Sequence, residues 1–197
     1  MKLKAFNEKY EKKVKKIDKR KRRYVDVKWV LTITFCAFLI SLAFSSLTEI
    51  VVPHLNAIIG IVLVLFIIII GVVFDMVGVS VTASDLKPFN SMAAKKIRGS
   101  KTAIKLIQNA EKVSAFCNDV IGDVCGIISG SVGILISAII SKETGINNSI
   151  VTLVLTALIA ALTIGGKAMG KSYAINKSDV IIFKFAKLIS IFRREKK

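Results

Sequence analysis

A chain of 197 residues that is 53% hydrophobic yet carries a net charge of +17, with a mean hydropathy of +0.63, is not composed like a soluble domain. Its apolar residues fall in uninterrupted runs near the roughly 20 residues needed to cross a bilayer. Nucleic-acid binding is set aside as the origin of the charge, because the Lys and Arg residues flank these runs instead of forming a separate basic domain.

Residues 1–28 are dominated by Lys and Arg, including the run KKVKKIDKRKRR, with Phe6, Tyr10, Val14 and Ile17 at helical spacing. The pattern describes either an amphipathic helix on an anionic inner leaflet or a disordered basic tail that fixes topology. Anionic membrane lipid is the expected partner. The first apolar run begins near Val30 and is too long for the core of a secretory signal, so it is expected to remain as a span.

Residues 30–52 form that span, with Trp29 on the basic side and Glu49 near the far end, where it reaches the interface. Pro53, His54, Leu55 and Asn56 make a turn, so segment 29–56 is a transmembrane helix plus its turn. Residues 57 to about 79 form the second span, with Asp75 and Gly78 near its exit. In the basic stretch 82–112, Pro88 is expected to open a short helix closed by Gly99, and Ser100 to cap a second one through Asn109. Both are expected to lie at the membrane surface.

The third span, 116–140, carries Asn118, Asp119 and Asp123 in its first third, and Gly122, Gly126, Gly130 and Gly133 along its length. Small residues at such spacing let helices approach closely. A short turn follows, then a fourth span from 149 to about 169 that ends in Gly165, Gly166 and Lys167. The tail 171–197 is amphipathic, with Ile181, Phe185, Leu188 and Phe192 on one side and Lys184, Lys187 and Arg194 on another, and reads as a surface helix. Cys36, Cys117 and Cys125 all lie in apolar runs and His54 stands alone, so the cysteines read as buried small hydrophobes, with neither a zinc site nor a disulfide framework expected.

The basic segments are the N-terminus, the middle stretch and the tail, whereas both other turns are nearly neutral. This places the three basic segments, and both termini, in the cytosol. The expected fold is therefore an all-α integral membrane protein of four transmembrane helices with amphipathic interfacial helices on the cytosolic side.

That topology gives Asp75, Asp119, Asp123 and Lys167 one common depth, on the order of 5 to 15 Å from the cytosolic ends of their spans. Asp119 and Asp123, four apart, stack on one helix face beside Asn118. Four such groups left unpaired would cost about 10 kcal/mol, comparable with the stability of a whole domain. They are expected to compensate one another or to bind something. Three carboxylates around one lysine leave a negative surplus suited to a hard cation such as magnesium; the alternative is a structural ion-pair cluster.

Four stretches carry a family resemblance: FDMVGVSVTASD (residues 74–85), RGSKTAIKLIQNAEK (98–112), IGD (121–123) and IGGKAMGKSYAIN (164–176). In their order, an outward-to-inward span, a basic helical pair and two further spans, segment 57–197 resembles the transmembrane domain of the cyclin-M and CorC magnesium transporters. The family shows a small-residue step closing its first span, an Asn-Pro-Glu-Lys step, an Ile-Gly-Asn step and a Gly-Glu-x-x-Pro-Lys motif. Here Lys167 stands in the place of that glutamate, Gly170 and Ala110 in the places of the two prolines, and Asp123 in that of the asparagine, while Lys171 is retained. Asp75 stands where the family often has a small hydroxyl residue.

The resemblance implies divalent cation transport, with Mg2+ as the ion, and a homodimer. Asp75, Asn118, Asp119 and Asp123 are the candidate metal ligands, and Lys167 is their charge partner. No enzymatic chemistry is visible. The competing expectation is a non-transporting adaptor or regulator, with Lys167 neutralising the acids and the basic helices recruiting lipid or a partner. Lys167 discriminates: a free ion site needs it to point away, and the adaptor needs it paired.

Overall fold

Long apolar runs cannot expose their peptide groups to lipid, so each must satisfy its hydrogen bonds internally as a helix. The computed structural model describes residues 27–192; the expected amphipathic segment 1–28, except for Val27 and Lys28, and Arg194 in the tail lie outside them. The chain divides into two compact units, Met1–Phe35 and Cys36–Lys197. The described part of the first is the opening of α1 (Val27–Val51).

The second unit begins within α1, which there leaves Phe38, Leu39, Leu42, Phe44 and Leu47 exposed, as lipid-facing residues are. A 3₁₀ turn, Val52–His54, carries Pro53 as its second residue and leads into α2 (Ala57–Ala83). Then come α3 (Leu86–Ala94), α4 (Ser100–Gln108) and α5 (Ala110–Ala115), the last running without a break through a π-helical segment, Phe116–Gly122, into α6 (Asp123–Thr144). Two further helices, α7 (Asn148–Asn176) and α8 (Ser178–Phe192), complete the described chain. No strand occurs among the described residues. Four stretches, Val27–His54, Ala57–Ala83, Ala110–Thr144 and Asn148–Asn176, are long and apolar enough to cross a membrane. The protein is an all-α, multi-pass membrane protein.

The helices α2, α6 and α7 pack on one another around Val64, Ile68, Val124, Ile128, Val132, Ile136 and Ile159. In lipid such packing rests on close van der Waals fit and interhelical hydrogen bonds. Ser137 and Thr152 supply one such bond, 2.6 Å between hydroxyls of α6 and α7. The expected glycine edge of the third span divides in two. A Cβ on Gly133 would strike Ile159, whereas one on Gly126 or Gly130 would meet nothing within 4 Å.

A second core joins the end of α2 to α3, α4 and α8, with Val77, Val81, Phe89, Ala103, Cys117, Ile182 and Ala186 buried together. Fully burying a residue such as Phe89 contributes about 1.5–3 kcal/mol relative to leaving it in water. The short helices therefore direct apolar faces at one another as well as flanking the spans.

Several boundaries differ from the sequence reading. The helix α3 starts two residues before Pro88, which a first turn tolerates because its N–H would lack a partner there anyway. It also ends at Ala94, with Lys96 at φ 55° in the left-handed region, so Gly99 does not close it. Gly99, at φ 91°, precedes α4, and Ser100 is the first helical residue, its Oγ donating to the Ile97 carbonyl at 2.6 Å. On α8 the fully buried residues are Ile182, Ala186 and Ser190, while Leu188, expected on the apolar face, is exposed. The reason is a close approach: a Cβ on Gly99 would lie 3.0 Å from the Lys187 Cα, so α8 turns its small residues toward α4. The helix α7 also runs to Asn176, past the expected end of the fourth span near residue 169.

Candidate functional site

Acidic side chains near the end of a span are tolerable where neighbouring elements bring a countercharge. Lys167, on α7, supplies it. Its Nζ donates to Asp123 Oδ1 on α6 at 3.0 Å and lies 3.7 Å from Asp75 Oδ2 on α2. Thus three helices each contribute one charge to a single cluster. Exposure differs sharply: the side chain of Asp75 is 4% exposed, that of Lys167 18% and that of Asp123 65%. Two carboxylates on one ammonium leave a formal charge of −1, smaller than the surplus expected for four groups.

The rest of the expected set separates around the π-helical segment. Asn118 turns toward α2: a Cβ on Gly78 would collide with its side chain, and Gly78 leaves the space that Asn118 fills. Its Nδ2 donates to Ser114 Oγ at 3.2 Å, while its Oδ1 is buried without a partner. At the neighbouring crossing the roles reverse, since a Cβ on Gly122 would collide with the Asp75 carboxylate. Asp75 and Gly78 on one helix therefore face Gly122 and Asn118 on the other, each polar side chain lying over a glycine. Asp119 is exposed and makes no ion pair with a described residue. It does not accompany Asp123 onto Lys167.

The wide turn makes this arrangement possible. A π-helical turn advances by a smaller angle per residue than an α-helix, so α-helical spacing misplaces the faces of Asn118, Asp119 and Gly122; here Asn118 and Gly122 both face α2. Such turns concentrate at functional sites. Gly78, noted in the sequence only for its place at the span's exit, is the residue whose role was missed. The readable signal was the pair of polar and glycine steps, Asp75 with Gly78 and Asn118 with Gly122.

The cluster therefore brings together Asp75, Asp123 and Lys167, sets Asn118 against the same helix as Asp75, and leaves Asp119 outside. Among the described residues no three His, Cys, Asp or Glu side chains converge as a metal-holding group. Of the four expected ligands, Asp75 and the Asn118 side-chain carbonyl are the ones that offer buried oxygens. The described cysteines are all free, with Cys117 buried and Cys36 exposed, so the expectation of buried cysteines fails for Cys36.

No family model matches the chain, and neither the curated proteins nor the solved structures yield a match.

Proposed function

We propose that this protein is a non-transporting adaptor or regulator of the cell membrane, with both termini cytosolic and its intramembrane charges satisfied by one another. The observation that carries the reading is the position of Lys167 Nζ, 3.0 Å from Asp123 and 3.7 Å from Asp75. An ammonium placed there engages the same carboxylates that a hard cation would require. Removing one partner of such a pair leaves a buried charge uncompensated, which holds the three helices in one arrangement. The orientation follows from the Lys and Arg residues at 1–28, 82–112 and 171–197, which belong on the cytosolic side, and four spans return the chain to that side.

Anionic lipid is the partner we assign to the basic segments. A second copy of the chain is the partner we assign to the open edge of α6. No described residue packs within 4 Å of a Cβ built on Gly126 or Gly130, and small residues four apart favour close contact between membrane helices. Nucleic acid has no place in this reading.

A second reading, divalent cation binding or transport with magnesium as the ion, is favoured by one observation: the buried Asn118 Oδ1 lacks a donor and faces the helix that carries Asp75. Magnesium retains several waters and takes only a few protein oxygens. Asp75 and Asn118 fit that requirement, and Asp123 would join them once Lys167 withdraws.

Reconstitution of the full chain in liposomes containing a magnesium indicator separates the two readings. The adaptor reading expects no magnesium entry above that of protein-free vesicles. Saturable entry that Asp75→Asn abolishes would replace it with the second reading.

A further inference from the structure

The helix α8 is amphipathic on two sides. Its inner residues Ile182, Ala186 and Ser190 have no exposed surface, and the first two pack with Phe89 and Ala103. On the outer side Val180, Lys184, Lys187, Leu188 and Ile191 are all exposed and fall within an arc of about 100° at 3.6 residues per turn. Val180, Leu188 and Ile191 are 51%, 54% and 57% exposed. A helix facing only water would carry a polar outer face. Large aliphatic residues interleaved with lysines are instead the pattern of a helix lying in a membrane interface.

The covalent chain keeps this stripe near the membrane. Only Lys177 separates α7, a helix long and apolar enough to cross the bilayer, from the start of α8 at Ser178, and residue 178 lies about nine residues, or roughly 14 Å of helix, beyond the expected end of the span near residue 169. The charge on the stripe is of one sign. The only acid in α8 is Asp179, which is partly buried and outside the stripe. The helices α2, α4 and α7 all touch α8, and the loop into α4 adds basic groups: Gly99 sits on the Lys187 backbone, Lys101 lies two residues beyond it, and Arg98 Nη2 donates to the Ser190 carbonyl at 3.4 Å.

We propose that the outer stripe of α8 is a seat for acidic phospholipid headgroups. Val180, Leu188 and Ile191 reach below the phosphates, and the stems of Lys184 and Lys187 lie along the same apolar boundary with their ammonium groups turned back to the phosphates. The inference rests on the membrane placement of the spans and is indifferent to whether the Lys167 cluster is structural or holds a cation.

The test uses the full chain in nanodiscs of phosphatidylcholine, alone or mixed with phosphatidylglycerol. Native mass spectrometry should find phosphatidylglycerol retained in preference to phosphatidylcholine, and K184Q/K187Q should lower that preference by about thirtyfold, from the loss of two basic groups near the surface at about 1 kcal/mol each. The loop pair K95Q/K96Q should lower it far less. Undiminished retention in K184Q/K187Q, or an equal loss in both double variants, would overturn the assignment.

A nitroxide at Ile191→Cys, in a chain whose native cysteines are replaced, gives an independent reading. It should be shielded from an aqueous nickel chelate and open to oxygen in phosphatidylglycerol discs, with the shielding weakened by K184Q/K187Q. Equal access to nickel in both lipids would contradict the proposal, as would shielding that depends on protein concentration, which would assign the stripe to a second copy of the chain.

Discussion

Asn118 lays its side chain over Gly78, so that a single absent Cβ on α2 makes room for the side-chain amide of the π-helical segment, whose Oδ1 is buried. The neighbouring crossing repeats the device with Asp75 over Gly122. Polar side chains thereby enter a helix interface that larger residues would hold apart, and the cluster at Lys167 depends on that approach.

Filling either space should therefore be costly. Gly78→Ala is expected to destabilise the protein by about 1–3 kcal/mol, the usual range for overpacking. Combining it with Asn118→Ala should recover much of the loss, because the two positions share one volume. Gly126→Ala should be close to neutral for the isolated chain, since nothing lies within 4 Å of the added methyl. Thermal unfolding in detergent measures all three, and a neutral Gly78→Ala would contradict the described crossing.

The same edge tests self-association. If Gly126 and Gly130 meet a second copy, replacing both by Leu should reduce the dimer fraction in crosslinking or mass photometry while leaving monomer unfolding nearly unchanged. A dimer fraction unaffected by the two leucines would remove α6 as the contact.

Orientation is checked at the turn before α7. Asn147, which caps that helix by accepting from the Ser149 N–H at 2.9 Å, is expected outside the cell, opposite the basic segments. In a cysteine-free chain, Asn147→Cys should react with an impermeant maleimide in intact cells. Reaction only after permeabilisation would invert the topology.

Much of this arrangement could be read from the amino acids, for physical reasons that differ by element. Spans were legible because a bilayer demands long apolar runs, and the common depth of Asp75, Asp123 and Lys167 followed from topology and helical rise. Asp119 was expected in the same cluster because α-helical spacing was assumed, whereas the segment Phe116–Gly122 winds more widely. No local signal fixes such a turn; the fit of Asn118 and Gly122 against α2 accompanies it. The inner face of α8 was misplaced for a related reason. Periodicity favoured large residues such as Leu188, but the close backbone approach at Gly99 selects Ala186 and Ser190.

The N-terminal segment offers a prediction outside the described residues. A peptide of residues 1–28 should bind vesicles containing acidic phospholipid, at about 1 kcal/mol per basic residue close to the surface, and should release as salt is raised. Equal binding to neutral vesicles would remove the electrostatic account.

The central claim, that Lys167 satisfies the intramembrane acids, is tested most directly by the melting temperature of Lys167→Met with and without magnesium, alongside wild type and Asp123→Asn. Lys167→Met is expected to strand the buried Asp75, while Asp123 stays open to solvent, to cost roughly 3–5 kcal/mol and to melt early whether or not magnesium is present. Asp123→Asn, which removes only the more exposed acid and leaves Asp75 beside Lys167, should lose less and should also ignore the ion. A Lys167→Met protein that magnesium stabilises more than wild type, with that gain cancelled by Asp123→Asn, would contradict the account and make the cluster a cation site held shut by its own lysine.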